Sequence, residues 1–111
     1  MINIFKEDEA SLLLNLQIKD ANMGHADEFK TQLTNLFDTH NKKRLILNLA
    51  EVEYIDSSFL GALVATLKYA ISFKSDIILV GLRKDILNLF SLIRLDKVFK
   101  IYSDFDDALA K

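Results

Sequence analysis

The chain has no cysteine, no proline and only three glycines in 111 residues. Without cysteine there is no disulfide framework and no thiolate metal site, and the composition suits a reducing compartment such as the cytoplasm. The glycines are isolated, so no glycine-rich phosphate loop exists. Without proline, glycine and polar clusters must mark the turns. An excess of positive charge is missing too: 14 Lys and Arg stand against 16 Asp and Glu, a net charge of −2. No basic field is available for direct nucleic-acid binding. The longest apolar runs are too short for membrane insertion. Met1-Ile2-Asn3-Ile4-Phe5 has neither the basic start nor the long apolar run of a signal peptide.

What is present suits a single domain over residues 1–111. Half of the residues are hydrophobic and 27% are charged, a mix that fills one core and argues against wholesale disorder.

Ile2, Ile4 and Phe5 suggest a short strand, and Glu7-Asp8-Glu9-Ala10 a polar turn. Leu12, Leu14, Leu16 and Ile18 alternate with Asn15 and Gln17, the period of a half-buried strand, so a hairpin opens the chain. Lys19–His25 reads as a loop. Ala26–Thr39 reads as a helix, with Phe29, Leu33, Leu36 and Phe37 at helical spacing. Leu45-Ile46-Leu47-Asn48-Leu49 is a short apolar run typical of a strand covered on both faces. Ile77–Val80 repeats that signal and Gly81 ends it. Arg83–Ile93 is helical, Val98–Tyr102 is a last strand, and Asp104–Ala110 is a short helix capped by Ser103. Strands separated by helices give an α/β fold with a mainly parallel central sheet, an N-terminal β-hairpin and about four helices.

The helix from Ser57 to Phe73 is the strongest in the sequence. At about 100° per residue, Leu60, Leu63, Val64, Leu67 and Ile71 form one stripe, expected to face the core. Phe59, Ala62, Thr66, Tyr69 and Phe73 lie on the adjoining flank. That flank either packs on a neighbouring helix or forms a partner-binding surface.

Catalytic and metal chemistry find little support. His25 and His40 are the only histidines, separated by a helix, with no nucleophile or ligand spacing to match. The Ser57 region lacks the G-x-S-x-G elbow of hydrolases. No cofactor motif is found, and no acid pair stands out as a catalytic couple. Lys42-Lys43-Arg44 reads as solvated charge.

The remaining candidate is the turn into that helix, Ile55-Asp56-Ser57-Ser58-Phe59-Leu60-Gly61. Asp56 and Ser57 are helix-capping types, and a serine hydroxyl here sits where a helix favours negative charge. Gly61, in the first turn, lets another backbone approach. Capping alone explains the serines; a second use for them requires more than spacing.

This stretch resembles the pattern apolar-Asp-Ser-Ser/Ala-Gly-Leu-Gly of the anti-sigma factor antagonists, the stand-alone bacterial STAS domains. Leu45–Leu49 resembles their central strand, and Leu95-Asp96-Lys97-Val98-Phe99-Lys100-Ile101 their segment before the last strand and helix. The element order matches throughout. The resemblance implies a non-enzymatic, cytoplasmic partner-switching protein. Ser57 would accept phosphate from a partner that is both anti-sigma factor and serine kinase. A PP2C-type phosphatase would remove it. Ser58 is the alternative acceptor, and Asp56 and Gly61 would support the switch turn. Two positions depart from the pattern: Phe59 stands where the family usually has glycine, and Asn22 where it often has aspartate near the partner surface. The competing reading is a STAS scaffold without phosphorylation that uses the Phe59–Phe73 flank to assemble a complex or a weak homodimer. A small-ligand carrier with a pocket beside the switch turn is a third, without a convergent polar cluster in the sequence to support it.

Overall fold

The computed structural model describes residues 1–110. The chain runs β1 (Ile2–Glu7), β2 (Ser11–Leu16), β3 (Asp20–Ala21), α1 (Met23–His40), β4 (Arg44–Asn48), β5 (Tyr54–Ile55) and α2 (Ser57–Ser72). It continues through β6 (Asp76–Val80), α3 (Lys84–Leu92), a single 3-10 turn (Leu95–Lys97), β7 (Lys100–Tyr102) and α4 (Phe105–Leu109). Five strands form the main sheet in the order β1-β2-β4-β6-β7. Only β1 and β2 are antiparallel; the other neighbours are parallel, as helical crossovers require.

The register explains the continuous apolar runs. Leu13, Ile46 and Ile78 align across β2, β4 and β6 and share a core with Val80 and Ala108 of α4. Leu12, Leu14, Leu45, Leu47, Ile77 and Leu79 face the other way, into the larger core beneath α1, α2 and α3. Alternation predicts a half-buried β2; instead Leu13 is buried as well, because α4 covers the second face. β2 also stops at Leu16, leaving Ile18 half-buried beyond it. In β1, Ile4 pairs with Leu14 and Lys6 with Leu13, so Phe5 is the extra residue of a bulge. Its ring stacks on Phe105 of α4, centroids 5.2 Å apart.

Three local features differ from the sequence reading. The loop 19–25 contains β3, which pairs in parallel with β5 as a separate two-stranded sheet. α1 starts at Met23, capped by Asn22, whose Oδ1 accepts the Gly24 N–H at 2.8 Å. α4 is capped by Asp104 rather than Ser103: Asp104 Oδ1 accepts the Asp107 N–H at 2.8 Å. Lys43 is exposed, but Lys42 and Arg44 are less solvated than their charge suggests. Lys42 Nζ donates to the Asp8 carbonyl at 2.6 Å and lies 3.2 Å from Glu7. Arg44 Nε donates to Ser11 Oγ at 2.6 Å. These contacts tie the hairpin turn to the start of β4.

Candidate functional site

β3 and β5 place the starts of α1 and α2 side by side. The Asp56 N–H donates to the Ala21 carbonyl at 3.0 Å, extending the short parallel ladder into the turn. Asp56 then caps α2, Oδ1 accepting the Phe59 N–H at 2.9 Å. Its other oxygen, Oδ2, accepts the Met23 N–H of α1 at 2.7 Å. One carboxylate therefore serves two helix N-termini, where both macrodipoles favour its charge. Both of its oxygens are engaged by backbone donors, so Asp56 positions the turn by holding the backbone. This second role could not be read from spacing, because Met23 lies 33 residues away.

Ser57 and Ser58 follow directly and are both exposed. The first N–H groups of a helix have no intrahelical partner. Asp56 takes that of Phe59, while those of Ser57 and Ser58 have no protein acceptor among the described residues. The two side chains border different depressions. Ser57 borders a shallow, mostly apolar groove of about 420 Å³ with Leu60, Gly61, Val64, Ile93 and Leu95. Ser58 borders a second, of about 360 Å³, with Met23, Ala26, Asp27 and Lys30.

The flank Phe59, Ala62, Thr66, Tyr69, Phe73 requires correction as a partner surface. Phe59 is 0% exposed, and its ring lies 4.6 Å from that of Phe29 in α1. Ala62 is buried, and Thr66 is buried with its hydroxyl donating to the Leu63 carbonyl at 2.8 Å. Tyr69 is half-buried against Phe37, and its hydroxyl donates to Asp38 Oδ1 at 2.7 Å. That bond to a carboxylate raises the Tyr69 pKa, with burial adding to it. Phe73 alone is well exposed, although its ring also meets Phe37 and Tyr69. The flank is the α1–α2 interface.

The expected core stripe shifts accordingly. Leu60, Leu63 and Leu67 are buried, but Val64 is half-buried and Ile71 is 56% exposed. The inward direction of α2 falls between the two predicted stripes, near Phe59, Leu63 and Ala70, because α2 packs on the sheet and on α1 together. This leaves Ser57, Gly61, Val64 and Lys68 aligned on the outer side, a stripe absent from the sequence reading. A Cβ added at Gly61 would meet nothing within 4 Å, so no neighbour in this chain requires a glycine there. The bulky residue at position 59 turns inward and does not cover Ser57.

His25 lies in the first turn of α1, two residues beyond the Met23 N–H that Asp56 accepts, and His40 at the helix's other end pairs with the N-terminal hairpin. His40 Nδ1 lies 3.1 Å from Glu7 Oε2, and the His40 and Lys42 contacts hold the Glu7 carboxyl below its usual range. Among the described residues, no group of three or more His, Cys, Asp and Glu side chains is placed to hold a metal ion. No described helix is long and apolar enough to cross a membrane.

A family model for the STAS domain matches residues 12–108. The chain belongs to the STAS domain family. It is 32% identical over 103 residues to a candidate anti-sigma factor antagonist homolog of Thermotoga neapolitana, spanning 93% of this chain and 88% of that protein. The crystal structure of a candidate anti-sigma factor antagonist of Thermotoga maritima superposes with a TM-score of 0.77 at 32% identity, over 88% of this chain and 85% of that one. The Bacillus cell fate determinant SpoIIAA, in its phosphorylated form, superposes with a TM-score of 0.72 over 99% of this chain and 97% of its own; at 11% identity it shows the shared fold alone.

Proposed function

We propose that this chain is an anti-sigma factor antagonist that exchanges partners through reversible phosphorylation of Ser57. An anti-sigma factor with serine-kinase activity is the binding partner and the source of the phosphate. A PP2C-type phosphatase reverses the step, and the cytoplasm is the site of action. The observation that carries this reading is the exposure of Ser57 at the head of the Ser57-Gly61-Val64-Lys68 stripe, beside an apolar groove. The likeness to the Thermotoga proteins supports the class.

The chemistry of the turn suits such a switch. A phosphate adds about −1.5 to −2 charges near neutral pH. The unpaired N–H groups of the first turn tolerate it within the fold. A partner seated on Leu60, Gly61 and Val64 would have to desolvate that anion. A loss of about 2.7 kcal/mol already weakens binding roughly a hundredfold. Asp56 and Gly61 support the turn: one holds its backbone, the other leaves room for a partner's backbone. Asn22 fixes the neighbouring start of α1. The phosphate-independent scaffold loses its proposed surface, because Phe59, Ala62 and Thr66 lie inside.

Phosphosite mapping by mass spectrometry on protein from its own cells, in growth and under stress, is the test. Condition-dependent phosphate on Ser57 is expected, with Ser57→Ala retaining and Ser57→Asp losing the kinase partner. A fully covered Ile55–Lys68 peptide without phosphate in any condition would sink the reading. Phosphate on Ser58 alone would move the acceptor to the neighbouring depression.

A further inference from the structure

The groove beside Ser57 runs along α2, with Leu60 and Val64 on one wall and Ile93 and Leu95, at the end of α3 and in the 3-10 turn, on the other. Ile93 is 44% exposed. At about 100° per residue, Ile71 continues the side of α2 that carries Ser57, Val64 and Lys68, and it is exposed as well. From Ser57 to Ile71 at about 1.5 Å per residue is roughly 21 Å, the length of a helix of about four turns.

The groove favours a helix over an extended segment. No strand residue lines it. An extended segment laid there would have no sheet edge to pair with, whereas a helix satisfies its own backbone. Gly61 and Ala65, one turn apart on α2, keep the wall low, and a Cβ added at Gly61 would meet nothing within 4 Å. A second helix can therefore come close to α2.

Charge sets the direction of that helix. α2 contains no Asp or Glu, and Lys68 is its one charged residue. Lys68 is exposed, as is Arg94 between the two residues of the far wall. Among the described residues, no carboxylate lies within ion-pair distance of either cation. A complementary helix brings its acids to Lys68, and acids belong in the first turn of a helix. With its first turn over Lys68, it runs antiparallel to α2 and ends beside Ser57. The two macrodipoles are then opposed, and the negative C-terminal end of the incoming helix faces the start of α2.

We propose that the partner fills this groove with an amphipathic helix of about four turns, antiparallel to α2, whose first turn carries an Asp or Glu that pairs with Lys68. Its apolar face lies on Leu60, Val64, Ile71 and Ile93. The inference rests on the reading of Ser57 as the switch and deepens it. Lys68, about three turns from the serine, anchors one end of the helix, and a phosphate on Ser57 repels the other.

The test uses the complex that Ser57→Ala captures from the protein's own cells. A carbodiimide joins a lysine amine to a carboxylate in contact with it, without a spacer, and mass spectrometry maps the bond. The expected product links Lys68 to an Asp or Glu in the first turn of an amphipathic segment of the partner. Lys68→Glu, at an exposed position, is expected to fold normally and to weaken binding about tenfold or more, and exchange of the crosslinked acid for lysine is expected to restore it. Four results would overturn the helix while leaving the Ser57 switch standing: no crosslink at Lys68, a crosslink to a second copy of this chain, unchanged affinity of Lys68→Glu, or no restoration by the exchange. If Ser57→Ala captures no partner, or Ser57→Asp captures it equally well, the switch falls and this proposal falls with it.

Discussion

Asp56→Ala is the substitution with the most to say about how the turn into α2 is built. Asp56 makes two backbone contacts with separate oxygens, to Phe59 at 2.9 Å and to Met23 at 2.7 Å. Loss of the α2 cap costs about 1 kcal/mol. The contact to α1 is also charge-assisted, worth about 1.5–3 kcal/mol. Because the two helices lose their shared anchor together, the combined cost is about 2.5–4 kcal/mol. In a chain of this size that corresponds to a fall in Tm of roughly 10–25 °C. Asp56→Asn separates the contributions. Its amide oxygen can still cap α2, but its NH₂ group faces the Met23 N–H, two donors opposed, so it recovers only about 1 kcal/mol of the loss in Asp56→Ala. Urea unfolding of the wild type and both variants, with Cm and m fitted together, is the assay. An Asp56→Ala variant within about 0.5 kcal/mol of wild type, the range of an ordinary surface substitution, would refute the double-cap reasoning. So would an Asp56→Asn variant as damaged as Asp56→Ala.

Gly61→Ala is expected to stabilise the fold by up to about 1 kcal/mol, since helix propensity improves and a Cβ meets open space, while weakening capture by the anti-sigma partner; urea melts and a pull-down read the two effects. Phe59→Ala is expected to cost about 3–5 kcal/mol in denaturant unfolding through the cavity left beside Phe29, whereas Phe59→Leu is expected to cost far less. Glu7 has a carboxyl pKa lowered in the folded state, chiefly by its hydrogen bond to His40 and then by that to Lys42. Its contribution is therefore fully present above the ordinary carboxylate range and is lost as pH falls through the lowered value; Glu7→Gln is expected to flatten the acid limb of a stability-against-pH curve.

Much of the architecture is legible in the sequence because its signals are local. Leu45–Leu49 and Ile77–Val80 read as doubly covered strands, and both are. The α2 boundary is legible because Asp56 is a capping residue directly before an apolar helix. The failures have a common cause. β3 and β5 hold together through only two residue pairs, too few to impose a periodicity. α4 contributes Ala108 to a second core face, which the alternation along β2 cannot announce. The helix wheel offers two apolar stripes on α2 and not the inward direction, which falls between them: packing against Phe29 and Phe37 buries Phe59 and Leu63 and leaves Ile71 exposed. At the turn, the Asp56 cap is legible from the residue type, while the Met23 contact of Asp56 required the fold.

The anchoring of Asp56 also bears on how a phosphate at Ser57 would act. A modification can change a partner surface by moving the fold or by changing the charge on an unmoved surface. The first route needs a two-state element for the new charge to bias. Here the residue before Ser57 is held by the Ala21 carbonyl and by backbone donors of two helices, and Phe59 is locked against Phe29. A phosphate would meet free helix N–H groups rather than a carboxylate seeking a partner, so the fold has little reason to rearrange. The groove itself, with Leu60, Gly61 and Val64, already lies beside the serine. On the reading that Ser57 is the acceptor, the switch is therefore electrostatic and local. The folded scaffold stays the same in both states, and the cost of desolvating the anion falls entirely on the incoming partner.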